Sequence, residues 1–191
     1  MNGDALELLC ADETLRPLID EHGPVSIEPA ERPFERLVVS IINQQLSTAS
    51  AAAIKARVFD TVDITPEALV SEDPARLQSA GLSAQKAAYI QNAADAFLTN
   101  GYSYDYFGDM DDDAVLDELT AIRGIGTWTG KMFLISCLAR EDVFPVEDLG
   151  IRAGMQTLYG NDLDVDDMID IADRWRPYRS YASRYLWRAV D

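Results

Sequence analysis

Apolar side chains recur three and four residues apart along nearly the whole chain, and no segment convincingly alternates apolar with polar residues. That period gathers apolar side chains on one stripe of a helix but would scatter them over both faces of a strand, so it specifies an all-α fold. Leu6, Leu8, Leu9, Leu15, Leu18 and Ile19 fit one or two helices between Asp4 and Glu21. Phe34, Leu37, Val38, Ile41 and Ile42 give a core helix from Glu31 to Gln45, with Pro33 tolerated in its first turn. Ser47 to Asp60 is alanine-rich and helical, and Thr65-Pro66-Glu67 opens a further helix with threonine as cap and proline first. Asp73–Ala80 and Ser83–Asn100 continue the array. Gly101 to Asp113 reads as a polar loop carrying Tyr102, Tyr104, Tyr106 and Phe107, and Val165–Asp173 and Pro177–Val190 close the chain.

Within this array one turn stands apart. Leu116, Leu119 and Ile122 keep a helical period before Gly124 and Gly126, and Met132, Phe133, Ile135 and Leu138 resume it afterwards. Two glycines two apart allow a tight turn and a close approach to a partner, because neither has a Cβ. The second helix then directs its first-turn N–H groups and positive dipole end in front of the turn, an arrangement that suits phosphate. A plain helix-to-helix turn would also use glycine. About a helix-length downstream, Asp148 stands in Pro145-Val146-Glu147-Asp148, either as a carboxylate for chemistry, as a helix N-cap, or as both.

Composition limits the classes open to such a fold. At 191 residues the chain is one unit able to bury a core. It has no apolar run of membrane-spanning length and no leader-like N-terminus, which predicts a cytoplasmic, monomeric protein without a membrane partner. Cys10 and Cys137 make neither a metal pair nor a disulfide framework. The formal net charge is −17, with only Lys55, Lys86 and Lys131 as lysines, against the usual basic face of a nucleic-acid binder. Charge is uneven, however. Arg174, Arg176, Arg179, Arg184 and Arg188 crowd the last stretch, where Asp191 is the one acid. A surface rich in Asp and poor in Lys suits work in high salt, where a Debye length of about 3 Å screens distant repulsion; a halophilic source is the expectation.

Four stretches carry a family resemblance in order from about Pro33 to Trp187. Ile122-Arg123-Gly124-Ile125-Gly126-Thr127-Trp128-Thr129 resembles the helix-hairpin-helix of the DNA glycosylase superfamily. Ser40-Ile41-Ile42-Asn43-Gln44-Gln45-Leu46-Ser47 is similar to its helix end. Gly81-Leu82-Ser83, Lys86-Ala87 and Tyr89 are similar to a helix start, and Trp175 to Trp187 to its tail. The nearest resemblance is to the 3-methyladenine DNA glycosylase II family, in a compact form without an N-terminal β-rich domain and without the iron–sulfur cluster of some relatives. It implies two helical lobes around a cleft: one about 31–150, with the helix-hairpin-helix at 114–138, the other about 1–30 plus 151–191.

The resemblance also implies roles. Asp148 takes the place of the catalytic aspartate, with Glu147 as its neighbouring rival. Trp128, Trp187, Met132, Leu149 and Tyr178 take base-pocket positions, Met132 and Leu149 standing where the bacterial enzyme has tyrosines. Gln44 and Gln45 end the helix presented to the minor groove, with Gln45 as the wedge. Gly124, Gly126, Thr127 and Trp128 form the phosphate-binding hairpin, and carbonyls of Thr120, Ile122 and Ile125 hold a sodium or potassium ion. No other cofactor is implied. Relatives with lyase activity place a lysine where this chain has Trp128, so the expected reaction is hydrolytic removal of N3- or N7-methylated purines from double-stranded DNA, without strand cleavage. Uracil, hypoxanthine or oxidised purine as the lesion, a non-catalytic DNA-binding module, and an acidic helical protein without nucleic acid are the competing readings.

Overall fold

The computed structural model describes residues 1–190, with the Thr48 side chain left aside; Asp191, the acid of the arginine-rich tail, lies outside the described residues. The described residues form thirteen α-helices and no strand, as the uniform helical period requires. Two units emerge, residues 29–138 and residues 1–28 with 139–191.

The middle unit holds α3 (Pro33–Asn43), α4 (Thr48–Thr61), α5 (Pro66–Val70), α6 (Pro74–Ser79), α7 (Ala84–Asn100), α8 (Tyr104–Gly108), α9 (Asp112–Thr120) and α10 (Thr127–Ser136). Side-chain caps fix several starts: Thr65 accepts from Ala68 N–H, Ser83 from Lys86 N–H and Asp111 from Ala114 N–H. Leu37, Val38, Ile41 and Ile42 of α3 are fully buried, and α3 packs on α4, α7 and α10. Burial of each such side chain contributes about 1.5–3 kcal/mol before conformational entropy is counted.

The stretch from Gly101 to Asp113 departs from the expected polar loop. Ser103 caps a short helix, α8, and Tyr102 and Phe107 are buried in a chain of rings running Phe34, Phe97, Tyr102, Phe107, Phe133. Successive centroids lie 5.0–5.4 Å apart, and the Tyr102 hydroxyl donates to Glu118 Oε2 at 2.6 Å. Edge-on ring packing with a partner for the hydroxyl makes these aromatics core residues; Tyr104 and Tyr106 remain exposed.

The terminal unit holds α1 (Gly3–Cys10), α2 (Arg16–His22), α11 (Leu149–Tyr159), α12 (Val165–Ala172), a 3-10 turn at Asp173–Trp175 and α13 (Arg179–Arg188). Leu9, Leu15, Met155, Trp175, Tyr185 and Leu186 centre its core. Asp12 ties the two ends of this unit together, accepting from Trp175 Nε1–H at 2.9 Å and from the Tyr159 hydroxyl at 3.0 Å. Phe144 and Val146 also join this core, which carries Asp148 into the terminal unit. The division therefore falls at 138/139, where the sequence suggested about 150.

Two of the tail arginines, Arg176 and Arg179, are engaged by acids of the same unit. Arg179 Nε donates to Asp142 Oδ1 at 2.7 Å, and Arg176 bridges Asp142 and Asp173, each at 2.9 Å. Ser180 adds a buried brace, accepting from Val143 N–H at 2.9 Å and donating to Arg140 O at 2.7 Å. Asp142 thereby anchors the 140–143 segment to α13. Among the described residues no helix is long and apolar enough to cross a membrane.

Candidate active site and DNA-contacting surface

In the terminal unit, Asp148 is the N-cap of α11: its Oδ1 accepts Ile151 N–H at 3.0 Å. The same oxygen accepts Trp187 Nε1–H from α13 at 2.9 Å. Asp148 is half-buried and takes the cap bond and the indole bond on one oxygen. The helix fixes one direction of the carboxylate and the indole a second. Arg152, one turn along, donates Nε–H to Val146 O at 2.6 Å and holds the segment that leads into Asp148.

Two glycines of α11 make this geometry feasible. A Cβ on Gly150 would come within 3.0 Å of both Asp148 Oδ1 and Trp187 Cδ1, and a Cβ on Gly154 would overlap the Leu186 carbonyl. Both helices can therefore approach closely enough for Trp187 to reach Asp148. The Arg184 guanidinium lies over the Trp187 ring, 5.8 Å from the centroid, at cation–π distance. Leu149 follows Asp148 with 78% of its surface exposed. Tyr178 is half-buried against Tyr181, centroids 6.3 Å apart, at the edge of the terminal core.

The middle unit carries the hairpin. Gly124 has φ +104, a left-handed backbone, and a Cβ there would overlap the Tyr89 ring. Gly126 has φ −100 and ψ 178, conformations open to any residue, and open space where a Cβ would point. The two glycines differ: the fold of the turn requires Gly124, whereas the chain leaves Gly126 unconstrained. As N-cap of α10, Gly126 offers no side-chain oxygen to the first-turn N–H groups, leaving that end suited to an anion. Thr127 is exposed at this end; Trp128 and Met132 are half-buried on the same helix. Ile125 N–H donates to Ile122 O at 3.0 Å inside the turn.

The end of α3 packs on this hairpin. Gln44 Nε2 donates to Gly124 O at 3.1 Å and to Thr129 Oγ1 at 2.9 Å. Its side chain is thus committed to bracing the turn, while exposed Gln45 adopts the left-handed φ +55. Lys86 Nζ donates to Ile42 O at 2.7 Å and Gln44 O at 2.6 Å, and burial lowers the ammonium pKa from its ordinary value. Gln44, Gln45, Lys86, Tyr89 and the hairpin line an open groove of about 410 Å³. Asn92 Nδ2 supports the turn from behind, donating to Arg123 O at 3.0 Å. Lys86 and Tyr89 belonged to a recognisable stretch of sequence, yet the roles they take here had no signal in it. Thr129, Gly150 and Arg184 carried none.

Among the described residues no group of three or more His, Cys, Asp or Glu side chains could hold a metal ion. A helix-capping carboxylate under an indole, and a glycine hairpin opening a helix, are parts suited to acting on a phosphate-linked polymer. Residues 38–177 match the HhH-GPD superfamily of base excision DNA repair proteins. The chain belongs to that superfamily, within its DNA-3-methyladenine glycosylase family. The DNA-3-methyladenine glycosylase of Saccharomyces cerevisiae is 41% identical, the match covering 83% of this chain and 67% of that one. A DNA-3-methyladenine glycosidase structure from Bacillus halodurans superposes with TM-score 0.81 at 34% identity, covering 98% and 89% of the two chains. The Schizosaccharomyces pombe 3-methyladenine DNA glycosylase, solved with abasic DNA, gives TM-score 0.87 at 28% identity, covering 97% and 95%. The chain spans 66–78% of the length of the first curated relatives it matches.

Proposed function

We infer that the protein is a monofunctional DNA glycosylase that flips alkylated purines out of double-stranded DNA and hydrolyses their bond to C1′ of the sugar. The observation that carries this reading is the Asp148 carboxylate held by Ile151 N–H and Trp187 Nε1–H on one oxygen. A purine methylated at N3 or N7 is already cationic and leaves without strong acid assistance. What the reaction needs is a fixed negative charge beside the oxocarbenium that develops as the bond breaks, and water to add at C1′. Two N–H donors on Oδ1 fix how the carboxylate is aimed, so that its charge can face the oxocarbenium. Water's oxygen forms the new bond to C1′, its proton is lost to solvent, and the products are the free base and an abasic site.

Trp187 offers a lesion a ring rather than a hydrogen-bonding edge, since its one N–H is spent on Asp148. A stacking surface favours cationic alkylpurines over neutral lesions such as uracil or hypoxanthine, which need specific hydrogen bonds. Trp128 and Met132 of the middle unit, and Leu149 and Tyr178 of the terminal unit, are the other residues this reading assigns to base recognition. Gln45 is the wedge that fills the gap, and Gln44 supports the hairpin rather than the groove. The hairpin N–H groups of Gly124, Gly126 and Trp128 hold phosphate. Carbonyl oxygens of Thr120, Ile122 and Ile125 are a hard donor set suited to sodium or potassium, which would add positive charge at that turn; Ile122 O keeps a second lone pair beside its bond from Ile125 N–H. The protein acts as a monomer on alkylated duplex DNA.

Methylated duplex incubated with the enzyme in molar KCl, with bases resolved by chromatography and strands on a denaturing gel, tests the reading. The expected outcome is release of methylated purines with intact strands until alkali is added. Direct strand cleavage, or no release of methylated purines while parallel duplexes carrying uracil or hypoxanthine lose those bases, would contradict it.

A further inference from the structure

The groove beside the hairpin contains a lysine that has no part in the chemistry above. The carbonyls of Ile42 and Gln44, at the end of α3, both point at Lys86 Nζ, at 2.7 and 2.6 Å. The residue that follows, Gln45, sits at φ +55, a conformation unfavourable for a residue with a Cβ. Left alone, a helix end with unpaired carbonyls and a left-handed glutamine would relax toward more ordinary backbone angles. An ammonium at the C-terminal end of a helix, donating to two carbonyls at once, opposes that relaxation through charge-assisted hydrogen bonds and the helix dipole. Gln44 completes the connection: its carbonyl is held by Lys86 while its amide grips Gly124 O and Thr129 Oγ1.

We propose that Lys86 is a positioning residue for Gln45, a clip that holds the wedge in its left-handed conformation and locks it in register with the phosphate-binding hairpin. The proposal rests on the reading of Gln45 as the wedge. Lys86 touches neither the reacting atoms nor, in this role, a phosphate: it acts through the backbone on either side of Gln45. It follows that Lys86 matters when a stacked, paired base must be displaced and held out, and matters little when the base is already loose.

The test compares single-turnover excision of a methylated purine from a fully paired duplex and from the same duplex with a mismatch opposite the lesion. Wild type, Lys86→Met and Lys86→Arg are run side by side. A mismatched base needs less unstacking and unpairing energy, so it relieves the demand on the wedge. The ratio of the two rates within one preparation does not depend on how much of a variant folds. Lys86→Met is expected to lower the paired rate roughly tenfold relative to the mismatched rate, a factor of the size set by one left-handed residue. Lys86→Arg, which also donates to two carbonyls, should restore the ratio. An unchanged ratio overturns the proposal, because a phosphate contact or a purely structural role lowers both rates alike. Wild-type enzyme that releases no methylated base from either duplex overturns the glycosylase reading itself, and the proposal with it.

Discussion

Asp148 combines two demands on one side chain. As a helix N-cap it satisfies an orphan N–H of α11, and the same bond fixes its rotamer beside Trp187. Removing the indole N–H leaves the cap intact but withdraws one of the bonds that aim the carboxylate. Trp187→Phe should therefore slow excision about 10- to 100-fold, the worth of one hydrogen bond to a charged group, with the melting temperature nearly unchanged. Single-turnover rates beside thermal unfolding check this, and an undiminished rate would show that the bond does not orient the carboxylate. Asp148 and Trp187 were each singled out in the sequence as candidate site residues, through motif position. Their contact was not, because 39 residues and the packing of α11 on α13 separate them. Lys86 and Thr129 show the same limit. Their partners, Gln44 among them, are brought close only by tertiary packing, and no local period encodes it.

At the scale of elements, the hairpin separates two glycines that look equivalent in sequence. Gly124 is required by its φ of +104 and by the Tyr89 ring, whereas Gly126 is unconstrained within the chain. Gly124→Ala should cost about 1–3 kcal/mol of stability, by strain and overpacking, and weaken duplex binding with it. Gly126→Ala should leave stability within about 0.5 kcal/mol and weaken binding of every duplex alike, since the hairpin reads backbone rather than bases. Denaturant unfolding paired with binding to two unrelated duplexes distinguishes them; equal stability losses would refute the division. Helices such as α3 and α7 were legible because one face of each is buried against neighbours, which forces a 3.6-residue period. The short α8 was not, because tyrosines at 102, 104 and 106 mimic a polar loop until Phe97 packs on Tyr102 and Phe133 on Phe107.

For the molecule as a whole, the acidic composition was plain from sequence, whereas the use made of the tail arginines was not: Arg176 and Arg179 are held by Asp142 and Asp173. With these two engaged and a net charge of −17, charge contributes less to DNA binding, and backbone N–H groups and shape carry more of it. Titration acts at the alkaline end. Burial, with help from the bond to Glu141, pushes the Tyr181 hydroxyl from 10.0 to about 12, and burial pushes the Cys137 thiol from 9.0 to about 12. Both folded values lie above the unfolded ones, so their stabilisation is complete below about pH 9 and is lost as pH rises toward 12. The urea midpoint should fall between pH 9 and 12 and be flat from pH 7 to 8.5; a flat profile to pH 12 would contradict the burial of these groups. The central claim, that one carboxylate on a DNA-holding scaffold excises the base, has a direct test. Excision from methylated duplex is measured for Asp148→Asn beside wild type, with binding to abasic DNA measured on the same preparations. The account predicts that excision is abolished while binding persists; turnover retained by Asp148→Asn would contradict it.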